Sequence, residues 1–165
     1  MTVYLTADPH LDHADLLIHC NRPFKYIKDW NRVFVENWNA AVEDHDEIFV
    51  LGDFHMSTDP KRIEYWVKQL RGKKRLILGN HDRLNPFAYV DAGFLSVHTA
   101  LWLIEDKILL AHDPSVSNVL NANRILLCGH VHNLFDRCKN AINVGVDVRN
   151  FRPVSLDNLR EEYEF

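Results

Sequence analysis

Arg75-Leu76-Ile77-Leu78-Gly79-Asn80-His81-Asp82 is an apolar run that stops at a glycine and passes straight into an amide, an imidazole and a carboxylate. The run has the length and composition of a buried strand. Four other stretches repeat the pattern. Residues 3–7 run into Asp8-Pro9-His10, residues 48–51 into Gly52-Asp53, residues 107–111 into His112, and residues 125–128 into Gly129-His130-Val131-His132. A strand end is a rigid mount for a side chain, and the ends of parallel strands open onto one crevice. Each cluster alone is ordinary turn chemistry; five in order converge on one site.

Helices fill the spaces between these strands. Trp30, Val33, Phe34, Trp38, Ala41 and Val42 share one face over 30–42, with Asp29 placed to cap the start. Asp59 as N-cap, Pro60 in the first turn, a stripe of Ile63, Trp66, Val67 and Leu70, and Gly72 beyond the end describe a second helix. Residues 86–92 suggest a short third helix, and Ser155 offers a cap to a C-terminal one through Tyr163. Residues 96–104 and 107–111 read as two strands joined by a Glu105-Asp106 turn, and residues 141–148 as the last strand. Residues 11–26 look irregular. Strands and helices alternate in the first half and strands crowd the second. This predicts a layered α/β chain, with a partly parallel first sheet and a more mixed second one. At 165 residues without a linker or repeat, 1–165 reads as one domain.

Composition excludes several classes. The net charge is −4 with no basic run, which disfavours a partner such as long duplex nucleic acid. Three cysteines, Cys20, Cys128 and Cys138, are too few and too scattered for a disulfide framework, so the expected compartment is reducing and cytoplasmic. Neither a signal peptide nor a bilayer-length apolar run is found, and no membrane is expected. The oligomeric state is left open.

The clusters carry two carboxylates (Asp8, Asp53), one amide (Asn80) and four imidazoles (His10, His112, His130, His132). Asp8 and His10 stand two apart, as do His130 and His132; on an extended backbone such pairs share a face. Oxygen and nitrogen donors without thiolate suit Mn²⁺, Fe, Ni²⁺ or Zn²⁺ better than Ca²⁺ or Mg²⁺. Seven donors exceed one tetrahedral ion and suit two divalent transition-metal ions sharing Asp53. Two ions roughly 3.5–4 Å apart turn a bridging solvent into a nucleophilic hydroxide and draw charge from phosphoryl oxygens. His81 can then protonate the leaving oxygen, with Asp82 holding its far ring nitrogen. His13 is placed either near the first ion, where it can meet substrate, or as a cap of the local turn. Arg22 offers a fork to a phosphate, or a partner to a nearby carboxylate.

The ordered motifs Asp8-x-His10, Gly52-Asp53, Gly79-Asn80-His81-Asp82, His112 and Gly129-His130-x-His132 resemble the calcineurin-like metallophosphoesterase family. The resemblance covers most of the chain. It implies that one ion takes Asp8, His10, Asp53 and His132, and the other Asp53, Asn80, His112 and His130. It also implies a four-layer α/β/β/α sandwich of two mixed sheets flanked by helices. The opening Asp8-x-His10-x-x-His13 with Asn21-Arg22-Pro23-Phe24 is similar to small bacterial and phage-type members. Pro9 departs from the small polar residue usual there and is expected to keep that backbone extended. The function read from this is hydrolysis of a phosphodiester on a small or cyclic nucleotide-type substrate. A phosphomonoesterase on a small metabolite or phosphoprotein is the alternative, and a non-catalytic metal-binding scaffold stands as a different class. A nuclease on long DNA is disfavoured by charge.

Overall fold

The computed structural model describes residues 1–103, 107–121 and 123–165. Along the chain lie β1 (Val3–Thr6), α1 (Asp15–His19), α2 (Ile27–Ala41), β2 (Glu47–Leu51), α3 (Pro60–Gln69), β3 (Lys73–Ile77), α4 (Pro86–Asp91), β4 (Ser96–His98) and β5 (Ala100–Leu103). There follow β6 (Ile108–Ala111), a 3₁₀ segment (Pro114–Val119), β7 (Ile125–Cys128), β8 (Arg137–Cys138), β9 (Ala141–Asn143), β10 (Val154–Ser155) and α5 (Leu156–Tyr163). Among the described residues these strands form two five-stranded sheets. The first has the order β10-β1-β2-β3-β4, and the second β5-β6-β7-β9-β8. β1 through β4 are parallel, with Tyr4 opposite Ile48 and Phe49 opposite Arg75. β6, β7 and β9 are parallel to one another; both edges of the second sheet are antiparallel, whereas the first sheet has an antiparallel edge only at β10.

Period-two alternation decides how the sheets stack. Ile48, Val50 and Leu76 face the helices and pack with Trp30, Phe34 and Trp38 of α2 and Ile63, Trp66 and Val67 of α3. Phe49, Leu51 and Ile77 face the other way, against Ile108, Leu110, Leu127 and Ile142 of the second sheet. Leu109, Ala111, Leu126 and Cys128 then point outward, beneath Val116 and Leu120 at the 3₁₀ segment. Each fully buried aliphatic or aromatic side chain contributes about 1.5–3 kcal/mol, so this apolar middle is what holds two sheets together. The chain is a mixed α/β protein. Its first sheet is backed by α-helices; the described residues over the second sheet's outer face form a 3₁₀ segment.

Several sequence expectations change. Residues 96–104 are not one strand. β4 pairs with β3 in the first sheet and β5 with β6 in the second, so the chain crosses between sheets at Thr99. The expected Glu105-Asp106 turn lies outside the described residues. Residues 146–150 form turns rather than the end of a strand, with Val148 and Arg149 donating to Gly145 and Val146. Residues 11–26 contain the short helix α1. Asp29 does not cap α2; it lies in the first turn behind Tyr26, which holds the N-cap without a side-chain bond. Asp59 does cap α3, accepting from the Lys61 N–H at 3.0 Å, and Ser155 caps α5. No helix among the described residues is long and apolar enough to cross a membrane.

Candidate metal centre

The five clusters meet at the carboxyl ends of β1, β2, β3, β6 and β7. Backbone bonds continue past the strand ends and tie the loops together. Asp8 N–H donates to Gly52 O at 3.1 Å, His10 N–H to Asp53 O at 3.0 Å, and Gly129 N–H to His112 O at 3.1 Å. Ala7 bridges Gly145, which joins the two sheets at the site. The expected extended backbone is absent. Asp8, His10, Asp53, His130 and His132 all have positive φ, at 57°, 46°, 54°, 73° and 49°. Left-handed geometry is tolerated by Asp better than by most residues, yet it still carries strain, and such strain clusters at functional sites. Two consequences follow for the sequence reading. The two-residue spacing converges through tight loops rather than through a pleat, and Pro9 sits between two left-handed residues.

Two donor groups form among the expected ligands, and Cys20, His132 and Asp147 make a third cluster beside them. Asp8, His10 and His132 offer atoms within 4.8 Å of one another, as do Asp53, His112 and His130. In the second group His112 Nδ1 lies 2.8 Å from the carbonyl oxygen of Leu51. A carbonyl only accepts, so Nδ1 carries a proton and Nε2 is the atom left to face a metal. That Nε2 lies 3.0 Å from Asn80 Oδ1, 3.2 Å from His130 Nδ1 and 3.4 Å from Asp53 Oδ2. His130 Nδ1 is also 3.0 Å from Asn80 Oδ1. Donor atoms thus converge on one point and repel unless a proton or a metal ion sits among them. His112 shows the same demand: burial works against its charged form, but Asp53 and Asp8 outweigh it and push the ring up to about 9.

The first group is more deeply set. Asp8 is fully buried and its carboxylate accepts the His130 N–H at 2.9 and 3.1 Å. Burial pushes it up to about 7, against the pull of His112 and His132. Burial also lowers His10 to about 4, so its ring is neutral, and its buried Nε2 has no hydrogen-bond partner. That nitrogen is 3.4 Å from Asp53 Oδ2. His132 donates from Nδ1 to Asp147 Oδ2 at 2.9 Å. Burial opposes its charge, but the bond to Asp147 dominates and raises the ring to about 10. The donor set, the orphaned His10 nitrogen and the convergent lone pairs all fit divalent cations.

Glycines leave room for these side chains. A Cβ on Gly79 would collide with Asp53 Oδ1, and one on Gly129 would sit 2.6 Å from Asp8 Oδ2. At Gly52, φ is +90° and an added Cβ would strike the His112 ring.

Two expected roles change. Arg22 is not open to a phosphate. Its buried guanidinium donates to Asp147 at 2.7 and 2.9 Å, to Asp8 O at 2.8 Å and to Pro9 O at 3.1 Å, and it stacks 4.4 Å from the Trp30 ring. Asp82 does not hold His81. It accepts the N–H groups of Asp53, Phe54 and Gly79 at 2.7, 3.0 and 2.9 Å, because three backbone donors surround it. His81 Nδ1 has no hydrogen-bond partner, while the His81 N–H donates to Asp53 Oδ1 at 2.8 Å. His13 does reach the cluster, with Nδ1 3.4 Å from His10 Nδ1. Asp147 and Asp12 were not anticipated. Asp12 fastens the loop after β1, accepting from Arg62, Trp66, His55 and Asn31.

Fold and site together define a mixed α/β protein with two metal-type donor groups meeting where its stacked sheets end. The chain belongs to the same family as uncharacterized protein MJ1445 of Methanocaldococcus jannaschii; the two are 33% identical over 164 residues, spanning 94% of this chain and 87% of that protein. No family model matches. Among solved structures, a protein of unknown function, AQ665 from Aquifex aeolicus, has a TM-score of 0.73 at 23% identity, covering 97% and 98% of the two chains. The Pseudomonas putida nuclease MPE has a TM-score of 0.52 at 22% identity, over 79% of this chain and 61% of the nuclease. Both are likenesses of fold.

Proposed function

We propose that this chain is a calcineurin-like metallophosphoesterase that hydrolyses phosphodiesters of a small or cyclic nucleotide type. The observation that carries the reading is the place of Asp53. Its Oδ2 lies 3.4 Å from His10 Nε2 on one side and 3.4 Å from His112 Nε2 on the other, between the two donor groups. In this reading one divalent ion, Mn²⁺ foremost, is held by Asp8, His10, Asp53 and His132, and a second by Asp53, Asn80, His112 and His130. Bound there, the ions would supply Lewis acidity toward the phosphoryl oxygens and toward an attacking water.

The chain's own groups do the rest. Asp53 Oδ1 fixes the His81 backbone, and the unpartnered His81 ring protonates the leaving alkoxide. Asp82 fastens the Asp53 and Gly79 loops against each other. Asn80 and His130 are exposed, so an extended diester reaches the site, and His13 stands on its rim. The four-layer sandwich belongs to the same reading, supported by the apolar layer shared between the sheets. So does a single domain over 1–165, because each donor group draws from both sheets. A cytoplasmic setting accords with three unpaired cysteines. The likeness to a nuclease keeps nucleotidic diesters within the substrate class.

Hydrolysis of bis-p-nitrophenyl phosphate with added Mn²⁺ is the test. Turnover of the diester above p-nitrophenyl phosphate, abolished by chelator, is expected. Metal-loaded protein that cleaves neither ester would overturn the reading in favour of a metal-binding scaffold.

A further inference from the structure

Between α1 and α2 an aromatic side chain stands half out of the fold. Tyr26 is 50% exposed. It occupies the N-cap of α2 and makes no capping bond, at a position where Ser, Thr, Asp or Asn satisfies a first-turn N–H. A local preference set aside without a packing gain points to function. Two ammonium groups flank the ring, Lys25 Nζ 5.2 Å and Lys28 Nζ 5.4 Å from its centroid. Both lysines are exposed, and among the described residues neither has a carboxylate partner.

These three residues line a cavity of about 820 Å³, whose lining also includes Ala14, Asp15 and Ile18. That volume is of the size that takes small organic ligands, roughly 300–1,000 Å³. The cavity and the donor groups share one loop. Ala14 directly follows His13, whose ring meets His10. Arg22 borders the cavity too, while its guanidinium holds the carbonyls of Asp8 and Pro9. With Arg22 neutralised by Asp147, the mobile charge is two lysines against Asp15, an excess of positive charge on an acidic protein.

We propose that this cavity is a nucleobase subsite, in which Tyr26 stacks a base of a single-stranded or mononucleotide diester while Lys25 and Lys28 leave the ring to meet its phosphates. The inference rests on the phosphoesterase reading and names its substrate class. Every base has a π-face, so such a platform tolerates any sequence, and cations beside it follow the backbone. A duplex hides its bases and does not fit.

The test compares two esters with one leaving group, bis-p-nitrophenyl phosphate and the p-nitrophenyl ester of thymidine 5′-monophosphate. Tyr26→Ala is expected to lower the ratio of kcat/KM for the thymidine ester over the base-free ester about ten-fold. Tyr26→Phe, which keeps the ring, is expected to preserve that ratio. Binding of fluorescein-labelled oligothymidylate of about eight nucleotides, by anisotropy in chelator, reads the subsite without catalysis. Tyr26→Ala and the Lys25→Gln/Lys28→Gln double variant should both weaken it. An unchanged substrate ratio together with unchanged oligothymidylate binding in Tyr26→Ala would overturn the subsite. Wild type inactive on both esters would instead overturn the phosphoesterase reading, with the binding measurement still deciding on the cavity.

Discussion

Replacing Arg22 by Met removes a buried cation whose partner stays behind. Both side chains are almost wholly inaccessible, at 0% for Arg22 and 2% for Asp147. The variant loses the two bonds to Asp147, orphans the Asp8 carbonyl and leaves the Pro9 carbonyl with the Trp30 indole N–H as its partner. Removing one partner of a buried pair costs about 3–5 kcal/mol, chiefly because the remaining charge loses compensation; Asp147 then keeps only the His132 ring, at 2.9 Å. For a chain of this length that lowers Tm by about 6–20 °C. Urea unfolding in chelator measures this without metal. Asp147→Asn added to Arg22→Met removes the stranded charge, so the double variant should be more stable than Arg22→Met alone. Arg22→Lys keeps the charge but not the fork and should fall between wild type and Arg22→Met. A loss below about 1 kcal/mol for Arg22→Met, the scale of exposed pairs, would refute the argument and return Arg22 to solvent, where a phosphate could meet it.

Asp53→Asn should reduce the Mn²⁺ bound per chain, titrated calorimetrically, and abolish diester turnover; two ions still bound would remove Asp53 from its central place. His81→Ala should leave Mn²⁺ binding intact and slow alkyl-leaving-group substrates about 10²–10⁴-fold, with p-nitrophenyl esters affected less; equal loss on both would contradict a proton-donor role. Burial works to raise the Asp12 carboxyl, but Arg62, Trp66 and His55 prevail and hold it well below the usual range. A depressed folded-state value stabilises at every pH above the ordinary value of about 3.9 and loses that contribution on further acidification. The urea-midpoint gap between wild type and Asp12→Ala should therefore be flat from neutrality to about pH 5 and shrink below it; a gap that widens with acid would be the contrary result.

The strand ends were legible because aliphatic runs closed by glycine and a polar residue leave few other readings, and Arg75–Asp82 is the plainest of them. Asp59 and Ser155 were legible for the same local reason: caps act within three residues. Apart from the cap expected of Asp29, which Tyr26 displaces, most of what failed was nonlocal. Asp147 and Arg22 stand 125 residues apart, and nothing in either neighbourhood announces the other. Asp82 follows His81 in sequence, so adjacency suggested a pair, whereas three backbone donors from two loops claim its oxygens. The break at Thr99 was invisible because hydrophobic patterning shows that a residue is buried, not in which sheet. Two-residue spacing of ligands suits a pleat and a left-handed loop alike, so the backbone at Asp8 and His10 could not be chosen from spacing.

One consequence concerns the seam between the sheets. Asp8, His10 and Asp53 descend from the first sheet, and His112, His130 and His132 from the second, so neither donor group is complete on one side. A cation seated in either group rivets the two halves. Cutting the chain at Thr99 would separate most of one sheet from the other, and the fragments should then reassociate more tightly with Mn²⁺ than without, an ion so seated acting as an adhesive for the fold.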